Sequence, residues 1–332
     1  MLLNLLYDNW NSHRACRVPG RVFAPALAGI CLLNACALEP GSGYEPELLT
    51  AGIDVTLTPL DSFGAGGTFA VRPGAGGAQL GYAAAVAASG GLVYVVDGAS
   101  SALVQLDPAR AELRVLYPLR DPNTAGLHVS ADQIIEVVDR YNRAVVELDQ
   151  SGWERRRFMD SRLIPTPVDV TQTNWGSTIL IADGISQRLA MFDAMSNPAG
   201  PFTTTLSPVA IAASITAIAA TNNAVFVLDS AGREVTQLDM DGRPVATYGE
   251  DSLLAPVALT VDECGRMYVA DGHSAGLFVT SPEFYGSSAR AALPPELTPA
   301  VTDLWIDGNI LYVAAGSLGI YIMAVDPPCM GP

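Results

Sequence analysis

The chain has 332 residues, of which 49% are apolar and only 16% charged, with 31 glycines and 23 prolines. That balance argues against a disordered chain or a helical bundle, and for many short strands joined by turns. A formal net charge of −16 argues against nucleic acid and anionic lipid headgroups as main partners, and is compatible with cations, basic partners or plain solubility.

The first element in chain order is a targeting segment. Arg14, Arg17 and Arg21 lead into the apolar run Val22–Leu33, followed by Asn34, Ala35 and Cys36. A basic segment, roughly a dozen apolar residues and a small residue at the cut form a secretory signal. The run is too short for a permanent bilayer span. A cysteine directly after the cut resembles the bacterial lipoprotein signal, which implies cleavage after residue 35 and acylation of Cys36. Asn34 departs from the Ala or Ser usual in that pattern, and an ordinary cleaved signal with a chance cysteine is the alternative. Several acyl chains on one residue anchor stably where a single chain binds only marginally. Ala37, where an aspartate would signal inner-membrane retention, points to the outer membrane. Loss of a signal carrying +2 takes the mature chain from −16 to about −18.

Further along, one pattern recurs six times. Short runs of β-branched and aromatic residues end at Asp97, Asp139, Asp183, Asp229, Asp271 and Ala315, separated by 42, 44, 46, 42 and 44 residues. Each reads as a strand with both faces buried. A second strand ends about ten residues later, at Leu106, Leu148, Phe192 and Leu238 in the first four copies, giving an antiparallel hairpin. A shorter strand precedes each run by about a dozen residues, and a more polar one follows several copies, such as Arg156-Arg157-Phe158. Four strands per unit at this period predict an all-β, six-bladed β-propeller.

The fifth copy, Pro256–Gly265 leading into Arg266-Met-Tyr-Val-Ala-Asp271, resembles an NHL-repeat blade. The second, Val138–Asp149 followed by Ser151-Gly152, is similar to the second half of one. The resemblance covers roughly residues 80 to 326 and implies the fold far more firmly than an activity. Residues 1–35 thus read as signal, 36–60 as tether and 61–332 as propeller. The sixth copy lacks its outer strand. Thr68–Arg72 is expected to supply it, with Ile53–Leu57 the second choice, because ring closure removes exposed sheet edges.

Candidate chemistry follows from position in the repeat. Asp97, Asp139, Asp183, Asp229 and Asp271 recur at one blade position and are expected to cap turns. The middle of the innermost strand reads Ala85, His128, Asp169, Ala217, Ala258 and Asp303. His128, Asp169 and Asp303 are therefore candidate channel ligands for a polar molecule or a divalent cation such as calcium, the alternative being hydrogen bonds to backbone and water. His273, Trp305, Arg140 and Tyr141 are candidates for a funnel face, with His128 and His273 expected to border one funnel. Zinc-dependent NHL-type lyases use several channel histidines, and related lactonases bind calcium through inner-strand acids and Asn. This chain matches either set only in part. Cys264 and Cys329 are expected on the opposite face as a disulfide closing a loop of about 64 residues, contributing roughly 3–4 kcal/mol; a buried free Cys264 is the alternative.

The reading is an envelope lipoprotein that binds or scaffolds a protein, peptide or glycan partner without catalysis and without an obligatory cofactor. Two alternatives stand beside it: a metal-assisted hydrolase or lyase in the channel, and an accessory subunit of an export, pilus or electron-transfer machine.

Overall fold

In the computed structural model the residues described are 55–64, 80–110, 112–122, 126–173, 178–193, 198–201, 214–274, 276–281 and 288–329. They form six four-stranded antiparallel sheets. In five of them the strands follow chain order from the innermost outward, with inner strands Ala83–Ser89, Leu127–Val129, Pro167–Thr173, Ile215–Ala220 and Pro256–Val261. No helix occurs among these residues, and none is long and apolar enough to cross a membrane.

The sixth sheet mixes the two ends of the chain. Its inner three strands are Asp303–Asp307, Ile310–Ala314 and Ile320–Asp326, and its outer strand is Thr56–Phe63. Thr56 lies opposite Asp326 and Phe63 opposite Ile320. This corrects the choice of Thr68–Arg72, which lies outside the described residues, and extends the second choice C-terminally. Phe63 and Leu57 explain the outcome: Phe63 is 2% exposed in a cluster with Ile320 and Tyr312, and Leu57 packs against Val325 and its neighbours. Burial of one such side chain contributes on the order of 1.5–3 kcal/mol. At the end of this strand Gly64 (φ +136°) meets Gly319 (φ +91°), and a Cβ on either would collide with the other's backbone.

Packing between blades makes the core. The second strand of every blade is buried on both faces, as in Ile135–Asp139 and Met267–Asp271, which is why those runs read as continuous apolar stretches. The repeated aspartates hold the corners. Asp97 accepts from the Tyr82 and Ala99 amides at 2.8 and 3.2 Å, and Asp271 from Leu254, Ala255 and His273 at 2.7, 3.0 and 3.0 Å. Asp229 does the same with Ser214, Ala231 and Gly232. Each of these three ties its own turn to the segment entering the blade's inner strand, satisfying donors that no ladder reaches. Four residues after the aspartate the backbone turns left-handed at Ser101, Arg143, Gln187 and Arg233.

Cys264 and Cys329 are bonded, with Cα atoms 5.7 Å apart. Beside them Arg266 donates to Asp262 at 2.6 Å and to the Pro327 carbonyl at 2.8 Å, so the C-terminal segment is held to blade five by a covalent and a polar link.

Candidate functional site

Inner strands have no neighbour on their channel side, so their edge amides need acceptors from elsewhere. Asp169 and Asp303 supply two of them by one geometry. Asp169 Oδ1 accepts from the Val170 amide at 2.8 Å, and its Oδ2 from Ile218 of the next blade at 2.7 Å. Asp303 Oδ1 accepts from Leu304 at 2.8 Å, and its Oδ2 from Val86 of blade one at 2.9 Å. Each acid therefore clasps two adjacent blades. At Ala85, Asp169, Ala217 and Ala258 a register shift in the inner strand marks the channel position. Gly126 completes the fit around Asp169, since a Cβ there would collide with the carboxylate.

Blades three and six are diametrically opposed in a six-membered ring, so the two acids face each other across the channel. Burial raises both pKa values. Asp303 rises to about 7, and Asp169 goes well above the carboxylate range, pushed further by the charge on Asp303. The pair divides the channel, because both acids line the cavity on either side of it.

The cavity on one side, about 460 Å³, is lined by the starts of inner strands and by the hairpin turns: Arg140, Thr166, Ser214, Thr216, Ile185 and Thr302 among them. This is the funnel. The cavity on the other side, about 220 Å³, is lined by His128, Gln172, Thr260, Glu263 and Trp305 together with apolar strand ends. His128 thus lies beyond the acid pair from the funnel, and His273 lines neither cavity. The two histidines do not share a site, because His128 sits at the middle of its inner strand and His273 in an outer turn. Burial lowers the His128 pKa to about 4, leaving a neutral imidazole. Its ring meets Trp305 edge-on at 5.3 Å, and the indole N–H is fixed on the Ala88 carbonyl at 2.9 Å. Trp305 therefore belongs to the channel wall. Tyr141 is exposed, with the Arg120 guanidinium 4.8 Å above its ring.

A metal implied by related propellers needs ligands that converge. Among the described residues the only three such groups within reach of one another are Asp262, Cys264 and Cys329. Two of these are tied up in the disulfide. In the channel, both oxygens of each aspartate already hold backbone amides, and both acids are biased toward protonation. Among the described residues no third His, Cys, Asp or Glu converges with the two channel acids.

Sequence reasoning overlooked one polar feature of blade two. Strand register places His128 opposite Glu136, Glu136 opposite Glu147, and Glu147 opposite Arg156. In the other blades the position of Glu136 is Tyr94, Leu180, Phe226, Tyr268 or Tyr312. Glu136 is 1% exposed with Oε2 unpartnered, and burial followed by the Glu147 charge raises its pKa well above the usual range. Glu147 is clamped by Arg156 and Arg155. The signal was visible: an acid in a run that is apolar in every other copy.

No protein-family model and no curated protein sequence matches the chain. Solved structures do. A virginiamycin B lyase from Staphylococcus aureus superposes with a TM-score of 0.58 at 10% identity, covering 82% of this chain and 99% of that one. A protein of unknown function from Bacteroides thetaiotaomicron gives 0.62 at 15% identity, covering 82% and 76%. A gluconolactonase from Xanthomonas campestris gives 0.56 at 15% identity, covering 82% and 98%. At these identities the likeness is one of fold, and the chain is a six-bladed β-propeller of the architecture those proteins share.

Proposed function

We propose that this protein is a lipid-anchored binding module of the bacterial envelope, holding a protein, peptide or glycan partner at its funnel face without catalysing a reaction. The observation that carries the reading is the 460 Å³ funnel cavity, floored by two acids whose oxygens are already committed to backbone amides. Its volume falls within the range of roughly 300–1,000 Å³ typical of small-ligand sites. No nucleophile–base pair or set of metal ligands converges there among the described residues. What lines it instead are hydroxyls, one guanidinium and small apolar side chains, suited to gripping a polar end group. Acylation of Cys36 would anchor the module to a membrane, most simply the outer one.

Affinity capture from detergent-solubilised envelope, using the wild type and the funnel-filling variant Val257→Trp at an exposed position of the cavity wall, tests the reading. A partner retained by the first and lost by the second is expected. A clean absence of partners would refute it. Cys36→Ser should move the protein from the membrane fraction to the soluble one. The alternative of a hydrolase or lyase draws support from the names of the Staphylococcus and Xanthomonas proteins with the same fold. A stoichiometric divalent ion lost on Asp169→Ala would favour that alternative.

A further inference from the structure

The charge lining the funnel is unlike that of the chain as a whole, which carries −16. Among the described residues lining it, Arg140 is the only basic side chain, and Asp169 and Asp303 on the floor are the only acids. Those acids hold the amides of Val170, Ile218, Leu304 and Val86, and burial biases both toward the neutral form. Arg140 is half-buried in the hairpin turn of blade two. Its guanidinium has five N–H donors, enough for a ligand as well as a protein neighbour.

Around the mouth, the same face exposes a collar of large apolar side chains. Ile185, Tyr141 and Leu254 are each more than half exposed, and Tyr82 and Val257 more than a third. They come from the hairpin turns of blades two and three and from the starts of the inner strands of blades one and five, beside residues that line the cavity. Apolar side chains gathered about one concave opening mark an interaction site, where scattered single ones do not. Between collar and floor the polar wall is made of hydroxyls: Thr166, Ser214, Thr216 and Thr302. Thr302 already donates to the Ala83 carbonyl at 2.7 Å, which leaves its oxygen an acceptor for a ligand N–H.

We propose that the funnel binds the C-terminal end of an extended peptide, with the terminal carboxylate on Arg140 and the last side chains against the apolar collar. The assignment rests on the funnel as the binding face and names the end group it takes. Charge complementarity selects the carboxylate: the one full charge on the wall above the floor is positive, and a guanidinium matches a carboxylate fork to fork. The hydroxyls select a peptide over a fatty acid. An alkyl chain would cover them without partners, while backbone amides supply both donors and acceptors. The collar selects it over a glycan, because Ile185, Leu254 and Val257 are aliphatic and offer sugar hydroxyls nothing.

The titratable groups facing the bound carboxylate are Arg140, Asp169 and Asp303, with Glu263 and His128, neutral above about pH 4, across the acid pair. Asp303 ionises near 7, so its negative charge opposes the ligand above that pH and is lost below it. Affinity should therefore rise as the pH falls from about 8 to about 6, a range over which the peptide carboxylate and Arg140 keep their charges.

Isothermal titration of the detergent-solubilised full-length protein tests this, with an N-acetylated Ala-Leu-Leu tripeptide as the probe. Its C-terminal amide is the neutral counterpart, octanoate the lipid-like carboxylate and maltotriose the glycan. Saturable binding of the free acid is expected, with the amide weaker by at least about tenfold, as loss of a charge-assisted bond requires. Arg140→Gln should weaken the acid by a similar factor and bind acid and amide alike, a result that a merely loosened fold would not give. Val257→Trp should abolish binding of both. The proposal is overturned by an amide that binds as well as the acid, by failure of the acid to saturate, or by octanoate or maltotriose binding more tightly than the peptide. An Arg140→Gln variant that still prefers the acid, or affinity that falls from pH 8 to pH 6, overturns it as well. In affinity capture from envelope, a partner lost on Val257→Trp but not released by excess free-acid peptide overturns this proposal alone. Capture of no partner at all refutes the funnel reading itself.

Discussion

Asp303 offers the sharpest test of how the ring is held together. It clasps blade six to blade one through Val86, at the seam where the chain's two ends meet and where Thr302 and Trp305 also bond to Ala83 and Ala88. Its pKa rises from 3.8 to about 7 through burial. With the folded value above the unfolded one, the folded protein holds a proton that the unfolded chain has released. Stability is therefore lost as pH climbs from about 4 to 7 and levels off above that. Between pH 5 and pH 8 the difference is about two pH units of linkage, on the order of 2–3 kcal/mol at 1.36 kcal/mol per unit. Asp303→Asn removes this dependence while keeping one acceptor, so one of the two amides goes unpaired at about 1–3 kcal/mol. Urea unfolding of both proteins at pH 5 and pH 8 is the assay. The wild type should lose more stability across that interval than the variant, by about 2–3 kcal/mol. Asp169 acts in the same sense, because removing the Asp303 charge also relaxes its own shift. Equal pH dependence in the two proteins would refute the argument, as would a wild type that gains stability on the variant as pH rises.

Glu136→Gln should be close to neutral near pH 5, where Glu136 is already uncharged. It should become stabilising toward alkaline pH, where the wild type must ionise a buried acid beside Glu147; thermal unfolding over a pH series would show the two curves diverging upward. Cys264→Ser with Cys329→Ser should cost roughly 4 kcal/mol, read as a shift in urea midpoint that reducing agent reproduces in the wild type and not in the variant. Gly319→Ala places a Cβ against the Phe63 carbonyl at a left-handed backbone position. It should cost about 2–5 kcal/mol by calorimetry and loosen the N-terminal strand, seen as faster amide exchange over residues 56–63.

Much of the architecture was legible because a propeller repeats its physics. The same buried strand, ending in the same turn-capping aspartate at an interval near 44 residues, can only mean the same unit made again. The aspartates were readable as scaffold for that reason, and the contacts of Asp97, Asp229 and Asp271 with turn and entry amides agree. Breaks in the repeat were legible as well: His128, Asp169 and Asp303 stood out among alanines and all three reach the channel.

The sequence by itself therefore determined the blade count, the strand order within a blade and which residues face the axis, since all of these follow from local pattern and period. Only the tertiary structure decided the rest. Periodicity could not choose between two N-terminal segments for the closing strand; the seat for Phe63 between Ile320 and Tyr312 did. It could not show that two acids more than 130 residues apart meet across the axis while clasping the next blade's amides, or that they part a funnel from an inner chamber. Nor could it weigh Glu136 as more than an irregular residue, because the burial and the facing Glu147 charge that make it costly exist only once the strands are in register. A repeat reports what each blade shares; charge state and cavity shape arise from what opposing blades bring together.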